Sequence, residues 1–254
     1  GVGSSMSNTA AAFDQAALNE QFPILQREID GAPLVYLDSG NTSQKPRSVI
    51  DAMSNFMENT YAPINRSSYR LAGEATDAFE RGRTAVARLI NAPSVDEVVF
   101  TKNATESINL IAMAWGRANL VEGDVVVLTE MEHHANIVPW QMLQQERGIE
   151  LRWVPLTSDF QLDLSSLETL LAGVKVFSFT SMSNVLGTIN PVEKLCAAAH
   201  AAGAIAIVDM CQSVLQHCWC QRHLHTVSRS QCYQEVAACA ERARLPPAPR
   251  CLPQ

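Results

Sequence analysis

Lysine is the scarcest charged residue of this chain: Lys45, Lys102, Lys175 and Lys194 are the only four in 254 residues, and none follows position 194. With a net charge of −7, no basic stripe of the kind that holds nucleic acid is present. Long apolar runs are also missing. None approaches the roughly 20 residues needed to cross a bilayer, and Gly1–Asn8 lacks the apolar stretch of a secretory signal. The expected setting is cytoplasmic, with Gly1–Ser5 an added leader ahead of a native start at Met6. Cysteine is nearly absent from most of the chain. Only Cys196 precedes position 210, and the other six lie between Cys211 and Cys251. From Leu215 onward there is no glycine, lysine, aspartate, isoleucine, phenylalanine or methionine.

What is present is ample apolar material, 47 % of the residues, enough for one large domain or two small ones. Residues Phe13–Asp30 carry helical spacing, broken at Gly31 and Pro33. Leu34–Leu37 reads as a short strand, and Arg47–Tyr61 and Gly73–Asn91 as amphipathic helices. Strands and helices then alternate. The strands are Glu97–Thr101, Val125–Thr129, Leu151–Pro155, Lys175–Thr180 and Ala204–Asp209; the helices are Thr105–Trp115, Ile137–Glu146 and Pro191–Ala202. This rhythm predicts an α/β fold, a three-layer, doubly wound, mostly parallel sheet with helices on both faces. The expected divisions are a tag-like segment over 1–12, a helical arm over 13–33, the sheet domain over 34–214 and an atypical tail over 215–254. The tail's five cysteines, five arginines and proline-laden end lack core periodicity. They read as a shifted reading frame rather than a new domain.

Ligands in open α/β sheets sit at the carboxyl ends of strands, and four such ends carry polar groups here. Asp209 ends the apolar run from Ala204, where it is either a turn aspartate or the partner of a protonated ring nitrogen. Asn103-Ala-Thr-Glu106 opens a helix after a strand. Its amides suit an anion, or Thr105 is simply a cap. Glu132-His-His-Ala-Asn136 follows the next strand. His133 and His134 are poor joint metal ligands because they are adjacent, but one of them can lie flat on an aromatic ring. Ser183-Asn-Val-Leu-Gly187 offers an amide. In the tail, Cys218 and Cys220 with His217, His223 and His225 are too irregularly spaced for a standard zinc site. No metal is expected.

These segments resemble the class V aminotransferase group of fold-type I pyridoxal-phosphate enzymes, and within it the cysteine desulfurases that serve iron–sulfur assembly. The likeness runs from about Phe22 to Val214. It rests on Tyr36-Leu-Asp-Ser-Gly-Asn-Thr-Ser-Gln-Lys-Pro46, Glu74-Ala-Thr76, Phe100-Thr-Lys-Asn-Ala-Thr-Glu106, Glu132-His-His-Ala-Asn-Ile-Val-Pro-Trp-Gln141, Ser183-Asn-Val-Leu-Gly-Thr188 and Val208-Asp-x-x-Gln212. The resemblance implies that Ala104 and Thr105 hold the phosphate of pyridoxal 5′-phosphate. It further implies that His133 stacks on the pyridine ring, Asn184 approaches the ring hydroxyl and the substrate, Asp209 pairs with the ring nitrogen, and Gln212 bonds near the ring oxygen. The implied substrate is L-cysteine, converted to alanine, with the sulfur passed to an acceptor protein by a homodimer. No nucleic acid or membrane takes part.

Several positions depart from the family pattern. Asn65-Arg66 stands where many members carry His-Arg, Ser181-Met182 replaces a His-Val type pair, and Met210-Cys211 replaces small residues. The Ser-x-His-Lys segment whose lysine forms the Schiff base is absent, as is the smaller C-terminal domain with its reactive cysteine and carboxylate-binding arginine. No catalytic residue is therefore expected, and the cofactor should bind weakly and non-covalently. A truncated, inactive desulfurase is the first reading. A non-catalytic domain that binds a full-length subunit is the second.

Overall fold

A computed structural model describes residues 14–64, 68–214 and, as backbone, 228–230. The chain divides into two compact units, residues 1–62 and 63–254. The first unit holds α1 (Gln15–Glu20), capped by Asp14, whose side chain accepts from the Ala17 amide, and α2 (Arg47–Asn59). Between them, β1 (Glu28–Ile29) and β2 (Ala32–Pro33) pair antiparallel. Asp30 and Gly31, at φ 54° and 77°, form the two-residue turn that this handedness favours. The helix expected over Phe13–Asp30 is therefore three short elements, since Pro23–Gln26 is a 3-10 turn. The strand expected at Leu34–Leu37 does not form. Leu34 donates to the Arg27 carbonyl, but Val35 and Leu37 are 75 % and 90 % exposed.

The second unit is built on a parallel sheet of β3 (Val125–Thr129), β4 (Glu150–Val154), β5 (Val174–Thr180), β6 (Ile205–Asp209) and β7 (Ser228–Ser230), in the spatial order β4-β3-β5-β6-β7. The first four match the expected strands to within a residue. The fifth comes from the segment read as an atypical tail without core periodicity. Its three residues run parallel beside Ile207, Val208 and Asp209. The rest of the tail, including Cys218, Cys220, His217, His223 and His225, and Asn65-Arg66 lie outside the described residues.

Side chains alternate faces along the strands, and in β3, β5 and β6 both faces are buried. Val125 and Val127, Phe177 and Phe179, and Ala206 and Val208 face one apolar cluster. There they pack with Val86, Ala87 and Ile90 around the end of α3 (Arg70–Leu89) and with Val192, Leu195 and Ala199 of α8 (Val192–Ala201). Leu167 of α7 (Leu167–Leu170) joins this cluster. Val126, Leu128, Val176 and Ile207 face the other cluster, with Ala112, Leu120, and Trp140 and Leu143 of α6 (Val138–Arg147). Helices cover both faces, so the sheet is doubly wound as the sequence predicts. Gly148, at φ 70°, ends α6 and bonds back to the Gln144 carbonyl, the usual left-handed helix stop.

Two expectations fail near the start of this unit. Glu97–Thr101 is not a strand, because Val95–Glu97 is a 3-10 turn capped by Ser94. Arg83 holds the next residues instead, donating to the Val98 carbonyl and lying 5.0 Å and 5.3 Å from the rings of Phe79 and Phe100. The helix expected over Thr105–Trp115 is α4 (Ala104–Leu110), a π-helical turn (Ile111–Gly116) and α5 (Arg117–Asn119) in series. Gly116 sits where this turn meets α6. A Cβ there would stand 2.7 Å from Leu143 Cδ1, and Leu143 is fully buried.

Gly116→Ala should therefore cost about 1–3 kcal/mol by overpacking, and Leu143→Ala about 2–5 kcal/mol by leaving a cavity. The double variant should lose less than the sum, since the new methyl enters the space vacated. Denaturant melts of the four proteins measure that coupling, and strict additivity would refute the contact.

Candidate functional site

β3 is the first strand of the sheet in sequence, and its two sheet neighbours, β4 and β5, lie on opposite sides of it. The winding direction therefore reverses between β3 and β5, the place where ligands enter doubly wound sheets. Three adjacent strands end at this edge in polar residues, Thr129, Thr180 and Asp209, all buried. Thr180 and Asp209 are register partners. The Asp209 carbonyl also accepts from the Ser181 amide at 2.8 Å and the Ser181 hydroxyl at 3.0 Å. Ser181 in turn bonds to Ser213 at 2.5 Å, which ties the turn after β6 to the loop after β5.

Asp209 is only 4 % exposed. Its Oδ1 accepts from the Cys211 amide at 3.0 Å, and Oδ2 has no hydrogen bond among the described residues. A buried carboxylate oxygen without a donor is costly, which is the demand a protonated ring nitrogen would meet. Gln212 lies half-buried in the same turn, which closes with the Ser213 and Val214 amides on the Met210 carbonyl.

His133 is exposed after β3. The Ala135 amide donates to its Nδ1 at 3.1 Å, so the neutral ring carries its proton on Nε2. His134 meets it edge-on at 6.1 Å. α4 packs beside the turn His134–Asn136. Its start is fastened reciprocally: Asn103 accepts from the Glu106 amide at 2.9 Å, and Glu106 accepts from the Lys102 amide at 2.6 Å. The amides of Ala104 and Thr105, the first two of the helix, have no preceding turn to bond to. Ala104 is buried and Thr105 exposed. Asn184 is exposed in the loop after β5, where Ser183 Oγ accepts from the Val185 and Leu186 amides. The structure thus sets His133, Asn184 and Asp209 after neighbouring strands of one edge, with Ala104 and Thr105 on the helix beside the His133 turn.

Sequence reasoning passes over Glu132, although it is 9 % exposed and bridges two strands. Its Oε1 accepts from the Thr129 hydroxyl and from the Thr180 amide at 2.9 Å, and its Oε2 from Asn136 Nδ2 at 2.7 Å. Burial raises its pKa from an ordinary 4.5 to about 7, with the negative charge of Asp209 adding to the rise, although the three hydrogen bonds oppose it. The available signal was the threonine that closes each of two apolar strands, next to the aspartate that closes the third.

None of the four lysines ends a strand at this edge. Lys175 lies near the opposite end of β5 and Lys194 on the exposed side of α8. Lys102 is exposed 3.9 Å from Glu106, and Lys45 donates to the Ser43 carbonyl. Among the described residues, no group of three or more His, Cys, Asp or Glu could hold a metal ion, and no helix is long and apolar enough to cross a membrane.

Residues 35–219 match the family Aminotransferase class-V. The chain belongs to that family. It is 47 % identical over 207 residues to a cysteine desulfurase of Enterobacter sp. (strain 638), covering 81 % of this chain and 51 % of that protein. A cysteine desulfurase of Serratia proteamaculans (strain 568) is 48 % identical over 205 residues, covering 80 % and 50 %. Among solved structures, the cysteine desulfurase CsdA of Escherichia coli superposes with a TM-score of 0.70 at 35 % identity, covering 80 % of this chain and 50 % of that one. The apo cysteine desulfurase of Thermococcus onnurineus NA1 gives 0.68 at 38 % identity, covering 71 % and 44 %. The chain spans about half the length of the curated relatives it matches.

The buried carboxyl of Glu132 sets a pH dependence of stability. A carboxyl whose folded pKa of about 7 exceeds the ordinary 4.5 favours folding at low pH. That advantage fades as pH rises through this window, a loss of about 3 kcal/mol in all. Glu132→Gln should flatten the slope between these values. Denaturant midpoints across the pH range test it, and an unchanged slope would assign the dependence elsewhere.

Proposed function

We propose that this chain is the cofactor-binding half of a pyridoxal-phosphate-dependent cysteine desulfurase, a protein that takes sulfur from L-cysteine and leaves alanine. The observation that carries the reading is Asp209, a buried carboxylate at the carboxyl edge of the sheet, one oxygen of which accepts no hydrogen bond among the described residues. The donor set around it suits the cofactor: a helix start for the phosphate, an oriented imidazole at His133, and amides at Asn184 and Gln212. Pyridoxal phosphate supplies an electron sink for substrate carbanions when its ring nitrogen is protonated. Asp209 would hold that proton on the nitrogen by charge and hydrogen bonding. The amides of Ala104 and Thr105, at the positive end of α4, would fix the phosphate. His133 would cover one ring face and keep water from it, while Asn184 would orient the ring hydroxyl and the substrate.

Within these 254 residues no lysine is placed to anchor the cofactor covalently, so binding is weak and reversible, and this stretch alone does not turn over cysteine. A homodimer, a sulfur-accepting protein and a cytoplasmic setting complete the reading. The competing role, a non-catalytic domain that joins a full-length subunit, predicts subunit binding that is indifferent to the Asp209 site.

Pyridoxal phosphate added to the chain should bind reversibly, followed by absorbance and lost on dialysis. Asp209→Asn should weaken it about tenfold or more, the scale of a lost charge-assisted bond. Equal binding by that variant would remove the proposed site. A borohydride-stable label on Lys102 or Lys175 would overturn the non-covalent mode.

A further inference from the structure

The turn that carries His133 is fastened by two buried side chains, one on each side of it. Glu132 precedes His133 directly, and Asn136 closes the turn with its amide on the His133 carbonyl at 2.8 Å. The two side chains bond to each other across the turn at 2.7 Å. Glu132 then reaches Thr129 of β3 and the Thr180 amide of β5. The other end of Asn136, Oδ1, accepts from Ser178 Oγ of β5 at 2.6 Å and from Trp140 Nε1 of α6 at 3.3 Å. Asn136 and Trp140 are fully buried, so these bonds are shielded from water and costly to leave unmade. His133 stands exposed over this frame beside His134, with its Nδ1 held by the Ala135 amide.

We propose that Glu132 is a positioning residue: with Asn136 it forms a buried carboxylate–amide clamp that fixes the ring of His133 in one orientation and one tautomer. The proposal rests on His133 being the ring-covering residue, as read above. The polarity of the clamp is set in one direction. Glu132 receives three donors on two acceptor oxygens, and Asn136 cannot turn over, because its NH2 would then face the indole N–H of Trp140, a group that only donates. An amide in place of Glu132 would set NH2 against NH2 across the turn. Exchanging the two groups restores every pairing, since the amide at 132 would donate to a carboxylate at 136, which would still accept from Ser178 and Trp140.

The test compares the unsubstituted chain with Glu132→Gln and with the double variant Glu132→Gln/Asn136→Asp. Imidazole 15N shifts report the His133 tautomer, titration reports pyridoxal phosphate affinity, and thermal melts report folding. The unsubstituted chain should show the Nε2–H tautomer alone. Glu132→Gln should show both tautomers and bind the cofactor about tenfold more weakly, whereas the double variant should return both readings to the original within about twofold. A single, unchanged tautomer in Glu132→Gln overturns the proposal, as does a folded double variant that fails to recover it. If Glu132→Gln does not fold, a folded double variant with the original His133 signature supports the clamp, and loss of folding in both refutes it. Absence of cofactor binding by the unsubstituted chain would sink the cofactor reading, while the tautomer comparison would still decide the clamp.

Discussion

The carboxylate of Glu132 joins the two strands that the topology sets apart. β3 and β5 are neighbours in the sheet, yet their following loops leave in different directions, and at that divergence the edge would open. Glu132 crosses it by accepting from a side chain of β3 and an amide of β5. A buried charge is tolerable only where donors converge on it, and here three do. The loops that carry His133 and Asn184, and through Ser181 the end of β6 at Asp209, all spring from the frame that this carboxylate holds.

That frame gives the site its division of labour. Groups at the sheet edge are buried and satisfied by one another, while the groups facing outward, Thr105, His133 and Asn184, are exposed. Asp209 stands between these classes, being buried like the frame yet with one oxygen that accepts no hydrogen bond among the described residues. Groups fastened in advance leave less ordering to be done by anything that binds over them.

The sheet was legible in the sequence because β3, β5 and β6 are buried on both faces along almost their whole length and read as largely apolar runs that close on a polar residue. The two failed strands, Leu34–Leu37 and Glu97–Thr101, have the right local composition. A strand also needs a neighbouring edge to bond to, and local pattern carries no information about which edges exist. Asp209, His133 and Asn184 were visible because they follow those apolar runs directly. Glu132 was not, because a charged residue in a loop reads as solvated, and only the meeting of Thr129, Asn136 and Thr180 in space reveals it as interior. The π-helical turn was equally hidden, since its residues are ordinary helix formers.

The strand order also bears on how the chain is made. Among the sheet strands, β3 alone has both of its ladder partners later in the sequence. As the polypeptide emerges, the most apolar strand comes first and stands with two open edges until helix-length crossovers deliver β4 and then β5. Open apolar edges are templates for pairing with other chains, and parallel ladders close slowly because their contacts are distant in sequence. The same central placement that puts β3 at the ligand-binding reversal makes it the segment most exposed to misassembly during synthesis.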